Sequence, residues 1–330
     1  MIKIERLYHC GIMPNYECSA ACRHCLYACS PARNEGYMNR EQAEKVCRDL
    51  RAGNCRSVHI GGGEPFLDFD GLLTLLAVLQ KFDIAVDYIE TNASWAENEA
   101  DVERKLSELK KAGADTLCIS LDPYHAEFIP YGLPLRLAQV CREVGFGYFI
   151  WKEQFYRVLK NADSTKALSR SELEAKLGCD YIYETAKAYG LRPGGRATNI
   201  FRKNSKLYPL ETLLKKASPS AKCEGLLDTN HFHVDLFGRF IPPGCTGYAI
   251  PLDELLEGLK PGKYPAFEAS LTGGSVKLFE LASKNGFVPD SDGYVSRCEA
   301  CFFMRKFLSQ KEGFPELDAE FFIHSEEYPN

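Results

Sequence analysis

The sequence predicts an α/β protein built as a partial (β/α)6 barrel, similar to a TIM barrel that does not close, with a small C-terminal α+β extension. Short apolar runs alternate with longer amphipathic segments, and this alternation is typical of βαβ units and a parallel sheet. Glycine-rich or polar motifs follow successive apolar runs, at 61–64, 91–92 and 120–122. Parallel barrels place their chemistry at the C-terminal ends of the strands. The pattern changes after about residue 215, which predicts two domains, 1–215 and 216–330.

Each predicted strand is a short apolar run that ends at a turn or a motif. The strands cover 2–9, 57–60, 84–90, 116–121 and 146–151, with a sixth near Leu191. The predicted helices cover 39–53, 70–82, 98–112, 133–144 and 170–189. Asn39 and Asn98 stand where an asparagine side chain can cap the first and third of these helices. A β-hairpin is expected at 231–243, about a turn at Phe237 and Gly238.

Composition excludes several classes of protein. The 330 residues contain 45% hydrophobic and 26% charged residues, which is ordinary for a globular protein, and a net charge of −5 disfavours a nucleic-acid partner. No apolar run is long enough to cross a membrane, and the first residues do not resemble a signal peptide. Fourteen cysteines without these features indicate a reducing cytoplasm, where thiols bind metals or pack in the core.

The most informative motif has three cysteines, Cys18, Cys22 and Cys25, at the spacing C-x3-C-x2-C. Thiolates select zinc, copper(I) or iron–sulfur clusters. Three cysteines leave one iron of a 4Fe–4S cluster open to another ligand. Two alternatives stay open on spacing alone: a closed ferredoxin cluster that also uses Cys29, and a zinc site.

Together with the run Gly61-Gly62-Gly63-Glu64-Pro65, this motif resembles the radical S-adenosylmethionine (SAM) superfamily. The resemblance implies that Cys18, Cys22 and Cys25 hold a 4Fe–4S cluster whose open iron chelates SAM. It also implies a set of SAM-binding residues: Gly62, Gly63, Glu64, Asn92, Ser120, Asp122 and Arg196. Glu64 would bind the SAM ammonium, Ser120 and Asp122 the ribose, and Arg196 the carboxylate. His125, at the barrel mouth, is a candidate catalytic acid or base.

A second set of cysteines lies in the C-terminal part. Cys223 and Cys245 flank the predicted hairpin, and Cys298 and Cys301 stand at the start of a predicted helix. The arrangement is similar to the twitch and SPASM extensions of radical SAM enzymes, which implies an auxiliary 4Fe–4S cluster on Cys223, Cys245, Cys298 and Cys301. A structural zinc on the same thiols is the alternative. His231 and His233 share one face of the hairpin and are expected to pack near this cluster.

The resemblance implies reductive cleavage of SAM to a 5′-deoxyadenosyl radical, followed by abstraction of a hydrogen atom from the substrate. A peptide or protein side chain is the predicted substrate, with a small-molecule metabolite as the alternative. The electron donor would be of the flavodoxin or ferredoxin type. A different class of function also fits the cysteines: a non-enzymatic iron–sulfur electron carrier with a structural zinc.

Overall fold

A computed structural model of the chain describes residues 2–159, 162–215 and 222–326. Its centre is an eight-stranded open sheet with the order β5-β4-β3-β2-β1-β6-β7-β8. The strands are β1 Cys10–Met13, β2 Ser57–Ile60, β3 Ala85–Thr91, β4 Thr116–Ser120, β5 Gly147–Trp151, β6 Phe232–Asp235, β7 Arg239–Ile241 and β8 Ile250–Pro251. Strands β1 to β5 run parallel, β6 joins β1 in parallel, and β7 and β8 are antiparallel. The predicted α/β class and the open parallel arrangement are confirmed.

The helices cover the sheet and connect its strands. They are α1 Arg40–Ala52, α2 Phe69–Lys81, α3 Glu99–Lys111, α4 Pro123–Ala126, α5 Gly132–Val144, α6 Gln154–Leu159, α7 Arg170–Leu177, α8 Tyr181–Tyr189, α9 Ala197–Asn204, α10 Leu210–Lys215, α11 Leu252–Glu257, α12 Pro265–Lys284, α13 Arg297–Ser309 and α14 Ala319–His324. Asn39 caps α1 and Asn98 caps α3, as predicted. Helix α1 packs on α2, and α3 packs on α5, so that their apolar faces enclose the core.

Two predicted strands are wrong. Residues 2–9 lie outside the sheet: the Ile4 N–H donates to Leu255 and the Leu7 N–H to Gly53, and these two are the buried residues of the segment. The sheet begins one residue later, at Cys10. Near Leu191 the chain leaves α8 through Gly190, which has a positive φ of 73°, and forms no strand before α9. The predicted helix 170–189 is also broken, at Gly178 with φ 94°.

The hairpin prediction is confirmed, and its position in the sheet is new information. Strand β6 pairs with β7 about Gly238, which has φ +74°, and β6 also lies directly beside β1. The C-terminal part therefore extends the same sheet. The predicted domain boundary at 215 and 216 adjoins residues 216–221, which lie outside the described residues, and it stays a prediction. In the part of the chain that the structure describes, no helix is both long and apolar enough to cross a membrane.

The buried carboxyl of Glu316 links the C-terminal segment to α12 and makes stability depend on pH. It accepts a 2.6 Å hydrogen bond from the Ala266 N–H, while its second oxygen has no partner. Burial raises the pKa of Glu316 to about 7, above its ordinary value of 4.5. The folded state therefore holds this proton more tightly than the unfolded chain, so stability falls as pH rises from about 4.5 to about 7.

Glu316→Gln should remove this pH dependence. We expect the free energy of unfolding of the variant to exceed that of the unmodified protein at pH 8, by an amount on the order of 3 kcal/mol, and its melting temperature to be higher at pH 8 but not at pH 5. Melting curves at both pH values measure the effect. Glu312→Gln, at an exposed neighbouring position, is the control. Equal melting temperatures of the Glu316 variant and the unmodified protein at pH 8 would contradict the prediction.

Candidate active site

The loop between β1 and α1 places Cys18, Cys22 and Cys25 beside the C-terminal ends of the strands. The Cys18 N–H donates to the Ser30 carbonyl at 3.2 Å, and the Cys25 N–H donates to the Cys22 carbonyl at 3.1 Å. Cys18 and Cys22 are buried, whereas Cys25 is half-buried. This folded loop brings three thiols into one sheltered region, a donor set that suits an iron–sulfur cluster.

The glycine-rich end of β2 packs directly on this cysteine loop. The Gly63 N–H donates to Asn15 at 3.0 Å, and the Glu64 N–H donates to Glu17 at 2.9 Å. A Cβ atom on Gly63 would stand 1.8 Å from the Glu17 carbonyl oxygen. Gly62 has φ +110°, and a Cβ there would meet the Asn15 carbonyl at 2.8 Å. Both glycines are therefore required for close approach of two backbone segments.

Gly63→Ala should displace the cysteine loop, because the carbonyl it meets belongs to the backbone and cannot rotate away. We expect a loss of about 1–3 kcal/mol of stability, together with reduced iron after anaerobic reconstitution. Iron analysis and the melting temperature measure both effects. Gly225→Ala, where a Cβ meets no atom within 4 Å, should retain full iron content. A Gly63 variant with normal iron and melting temperature would show that the packing is not required.

Glu64 is fully enclosed by donors at the ends of β2 and β3. Its carboxylate accepts hydrogen bonds from the Thr91 hydroxyl at 2.8 Å, the Asn92 N–H at 2.7 Å and the Phe66 N–H at 3.3 Å. Burial raises the pKa of Glu64 to about 7 although these three donors act to lower it. An additional cation beside this carboxyl would favour its charged form.

Asn92 links the end of β3 to the cysteine loop. Its amide group donates to the Ser19 hydroxyl at 3.0 Å and lies 3.5 Å from the Cys18 sulfur. Its side-chain oxygen accepts from the Ser94 N–H at 2.9 Å. The residue thus closes a turn and also contacts a predicted cluster ligand. Ser120 is half-buried as the last residue of β4 and pairs in register with Trp151.

Asp122 and His125 form a charged pair against the cysteine loop. The His125 Nδ1 lies 2.6 Å from Asp122 Oδ2, which also accepts from the Tyr189 hydroxyl at 2.6 Å. Burial opposes charge on both groups, but each stabilises the other: the pKa of His125 is raised and that of Asp122 is lowered. The His125 ring also hydrogen-bonds Cys22. Burial raises the pKa of Cys22 and Asp122 adds to this effect, whereas His125 is positioned to stabilise a negatively charged Cys22 thiolate.

Arg196 is buried behind the cysteine loop. Its Nε donates to the Cys22 carbonyl at 3.0 Å, and its Nη2 donates to the Cys29 carbonyl. The Arg196 Nη1 is buried without a protein partner. Two donors of the guanidinium therefore hold the loop, and one remains available for an anion.

Cys29 lies beside Cys25 within the same loop. The Cys29 N–H lies 3.3 Å from the Cys25 sulfur, and the Cys29 thiol hydrogen-bonds it as well. This hydrogen bond lowers the pKa of Cys25. Cys29 thus contacts a predicted ligand, and its thiol acts as a donor to that sulfur.

The C-terminal cysteines lie near one another, and their joint role as ligands stays a prediction. Burial, followed by the neighbouring thiols Cys245 and Cys298, raises the pKa of Cys223 to about 11. Burial likewise raises the pKa of Cys301 to about 12, while Arg305 acts against it. The segment around Cys223 and Cys245 and the start of α13 therefore lie near one another.

Arg305 is the positive group of this site. It is 3% exposed, donates to the Thr246 carbonyl at 2.5 Å and hydrogen-bonds Cys301. Its Nε is buried without a partner, and the neighbouring groups that favour its charge are the thiols of Cys245 and Cys301 and the Tyr248 hydroxyl. Thiolates that bind a metal would place negative charge beside this buried guanidinium.

Sequence reasoning missed several residues of the active site. His24 stacks on Tyr124 with ring centroids 4.6 Å apart, and its Nδ1 is buried without a partner. His24 could have been found from the sequence, because it lies between Cys22 and Cys25 in the cysteine motif. Thr91 lay in the polar motif predicted at 91–92, but its contact with Glu64 was not predicted, and Tyr189 carried no signal because its contact with Asp122 arises only in the folded chain.

The expectation that His231 and His233 pack near the second cysteine set is wrong. The two residues lie instead beside β1 and β2, where His233 is 3.3 Å from His59. The alternation of the hairpin correctly placed them on one face, but the pairing of β6 with β1 decides what that face contacts.

Residues 12–162 match the family described as the Radical SAM superfamily. The chain is 26% identical over 112 residues to a candidate peptide biosynthesis protein, YydG, of Bacillus subtilis (strain 168). This match covers 34% of the chain and 35% of YydG, so the chain spans about a third of the length of that curated relative.

Two solved structures are also similar. Streptococcus suis SuiB bound to S-adenosylmethionine has 16% identity and a TM-score of 0.43, covering 79% of this chain and 69% of SuiB. Native anSMEcpe with bound AdoMet has 18% identity and a TM-score of 0.46, covering 92% of this chain and 96% of that one. The family match begins in β1 and includes both the cysteine loop and the glycine-rich strand end, so residues 12–162 are similar to radical SAM domains.

Proposed function

We propose that the protein is a radical SAM enzyme that oxidatively modifies a peptide or protein side chain. The observation that carries the proposal is the packing of the glycine-rich end of β2 on the loop of Cys18, Cys22 and Cys25. A 4Fe–4S cluster bound there supplies the electron that cleaves SAM and so generates a radical able to take a hydrogen atom from the substrate.

The residues around the cysteine loop suit SAM in chemical type. Glu64 offers a carboxyl with a pKa near 7 that a SAM ammonium would ionise, through a charge-assisted hydrogen bond. Gly62 and Gly63 hold this carboxyl beside the loop, and Asn92 orients Cys18. Asp122 and Ser120, at the end of β4, are the proposed ribose ligands.

The contacts of Arg196 and His125 indicate where each would act in its proposed role. The unpartnered Nη1 of Arg196 is the donor available for the SAM carboxylate, while the other nitrogens hold the loop. The proposed acid or base His125 faces Cys22 and Asp122, so it would act at the cluster edge of the substrate pocket.

For the second site we propose an auxiliary 4Fe–4S cluster on Cys223, Cys245, Cys298 and Cys301. Three thiolates on one tetrahedral zinc would lie about 3.8 Å apart. Among the described residues, every group of three or more potential ligands within 4.8 Å of one another contains histidine and no cysteine. This wider spacing of thiols favours a cluster over zinc, and the cluster would serve as an electron acceptor during substrate oxidation.

The peptide substrate is proposed from the relative YydG, whose name refers to peptide biosynthesis, although that match covers about a third of each chain. A small metabolite is the competing substrate class. The exposed aromatic residues Phe149 and Trp151 on β5, 37% and 46% exposed, favour a large apolar substrate over a small polar one.

Anaerobic protein supplied with dithionite and SAM tests the proposal. We expect SAM to perturb the spectrum of the reduced cluster and 5′-deoxyadenosine to accumulate, and addition of peptides encoded beside the gene should yield an oxidised product. A flavodoxin or ferredoxin should replace dithionite. A cluster that shows no spectral response to SAM and no SAM cleavage would instead support a non-enzymatic electron carrier.

A further inference from the structure

Four of the seven histidines of the chain lie together where strands β1, β2 and β6 adjoin. The group, called the histidine cluster below, consists of His9, His59, His231 and His233. The ligand nitrogens of His9, His59 and His231 all lie within 4.8 Å of one another. The His59 and His231 rings are nearly parallel, with an interplanar angle of 6° and centroids 5.0 Å apart.

The sheet topology explains this concentration. Gly11 of β1 stands in register with His59 of β2 on one side and His233 of β6 on the other. His9 and His231 directly precede β1 and β6, so they reach the same end of this strand group. A Cβ on Gly11 would come within 2.5 Å of ring atoms of both His59 and His233. The glycine therefore leaves the space that the imidazoles occupy.

We propose that His9, His59 and His231 bind a divalent transition metal of the zinc type. His9 Nε2 and His59 Nδ1 are 3.1 Å apart. Two nitrogens bound to one tetrahedral zinc at about 2.0–2.1 Å would lie about 3.3 Å apart. His231 supplies the third imidazole, and its exposure provides a path by which the metal enters. Imidazole ligands favour zinc, copper, iron or nickel over magnesium or calcium.

The outer ring nitrogens of two ligands already face acceptors, which is an independent observation. His9 Nδ1 lies 3.3 Å from the Asp87 carboxylate, and His59 Nε2 lies 3.3 Å from His233 Nε2. His233 in turn has its Nδ1 3.0 Å from the Tyr27 hydroxyl. Histidines that ligate metals commonly donate their second N–H to a carboxylate or another polar group, which fixes the tautomer. The histidine cluster has this outer shell in place.

The charge state of the rings agrees with this geometry. Burial, together with neighbouring imidazoles, lowers the pKa of His59 and of His231. Both rings are therefore neutral at pH 7 and have a lone pair available for a metal. A three-histidine site leaves a coordination position for water or for an oxygen of the substrate.

Zinc binding to the iron–sulfur-loaded protein tests the proposal. We expect about one zinc per chain in addition to iron, and zinc-edge X-ray absorption should show only nitrogen and oxygen neighbours at about 2.0–2.1 Å. His231→Ala, at an exposed position, should abolish this binding. Asp87→Asn should weaken it by about 10- to 100-fold, as is typical for loss of an outer-shell partner. His324→Ala removes a histidine outside the cluster and should leave zinc affinity unchanged.

The same measurements can overturn the proposal without reference to SAM cleavage. Zinc with sulfur neighbours at about 2.3 Å would place the metal on cysteines instead. Unchanged affinity in both the His231 and Asp87 variants, with melting temperatures equal to that of the unmodified protein, would show that the cluster does not bind zinc. Failure of the unmodified protein to bind zinc would also show that the histidine cluster is not a zinc site.

Discussion

Cys22→Ala should produce no detectable 5′-deoxyadenosine, the largest functional effect expected of any single substitution. Removing one of three thiolates leaves the cluster with too few protein ligands to be held at its SAM-binding site. The loss also removes the sulfur that His125 hydrogen-bonds, so the buried charged pair with Asp122 loses one of its contacts. Cys18→Ala and Cys25→Ala should behave in the same way. Anaerobic SAM cleavage and iron content are the two measurements.

Cys29→Ala is the matched control, because Cys29 lies in the same loop and is equally buried. We expect it to retain the cluster and SAM cleavage, with at most a change in the cluster's spectrum, because it removes a hydrogen bond to Cys25 and no ligand. Loss of the cluster in this variant would favour the closed ferredoxin alternative. Full activity of Cys22→Ala would show that the assignment of the cluster ligands is wrong.

Replacing Cys298 and Cys301 together with alanine should separate SAM cleavage from product formation. The iron content should fall from about eight to about four atoms per chain, as expected when one of two cubane clusters is lost. SAM cleavage should continue, because both cysteines lie outside the β1–α1 loop. The oxidised product should disappear, because the substrate radical would lack its electron acceptor. Iron analysis and mass spectrometry of the substrate measure the two effects.

Cys179→Ala, at an exposed position between α7 and α8, is the control for this pair and should change neither measurement. Two outcomes would contradict the proposal. An unmodified protein that contains about four irons, and whose zinc has sulfur neighbours at about 2.3 Å, would assign the second site to structural zinc. A double variant that still forms oxidised product would show that the second site accepts no electron from the substrate.

The sequence could predict those parts of the site that follow directly from a strand. Glu64 follows one apolar run after three glycines, and Asn92 follows the next strand directly. Because parallel strands end at one edge of a sheet, the proximity of the two residues follows from their order along the chain. The start of α1 could also be predicted, because the Asn39 side chain caps the helix through a contact with Gln42, three residues along the chain.

Contacts between segments that are far apart in the sequence could not be predicted. The alternation at 2–9 gave the same pattern as a strand, although Ile4 and Leu7 bond to the carbonyls of Leu255 and Gly53. His59, in turn, looked like one polar residue in an apolar run until the fold placed His233 beside it. Periodicity reports which side of a segment is buried, whereas the identity of its neighbours depends on topology.

The position of β1 between β2 and β6 has a consequence for how the chain folds during synthesis. Most of the chain is synthesised before the hairpin of β6 and β7. Until that hairpin leaves the ribosome, β1 is an edge strand with unpaired backbone groups. Such edges readily pair with other chains, and pairings between distant segments form slowly. Slow translation or early chain termination before Cys223 would therefore promote aggregation of nascent chains, and coexpression with chaperones that shield exposed strands should raise the yield of soluble protein.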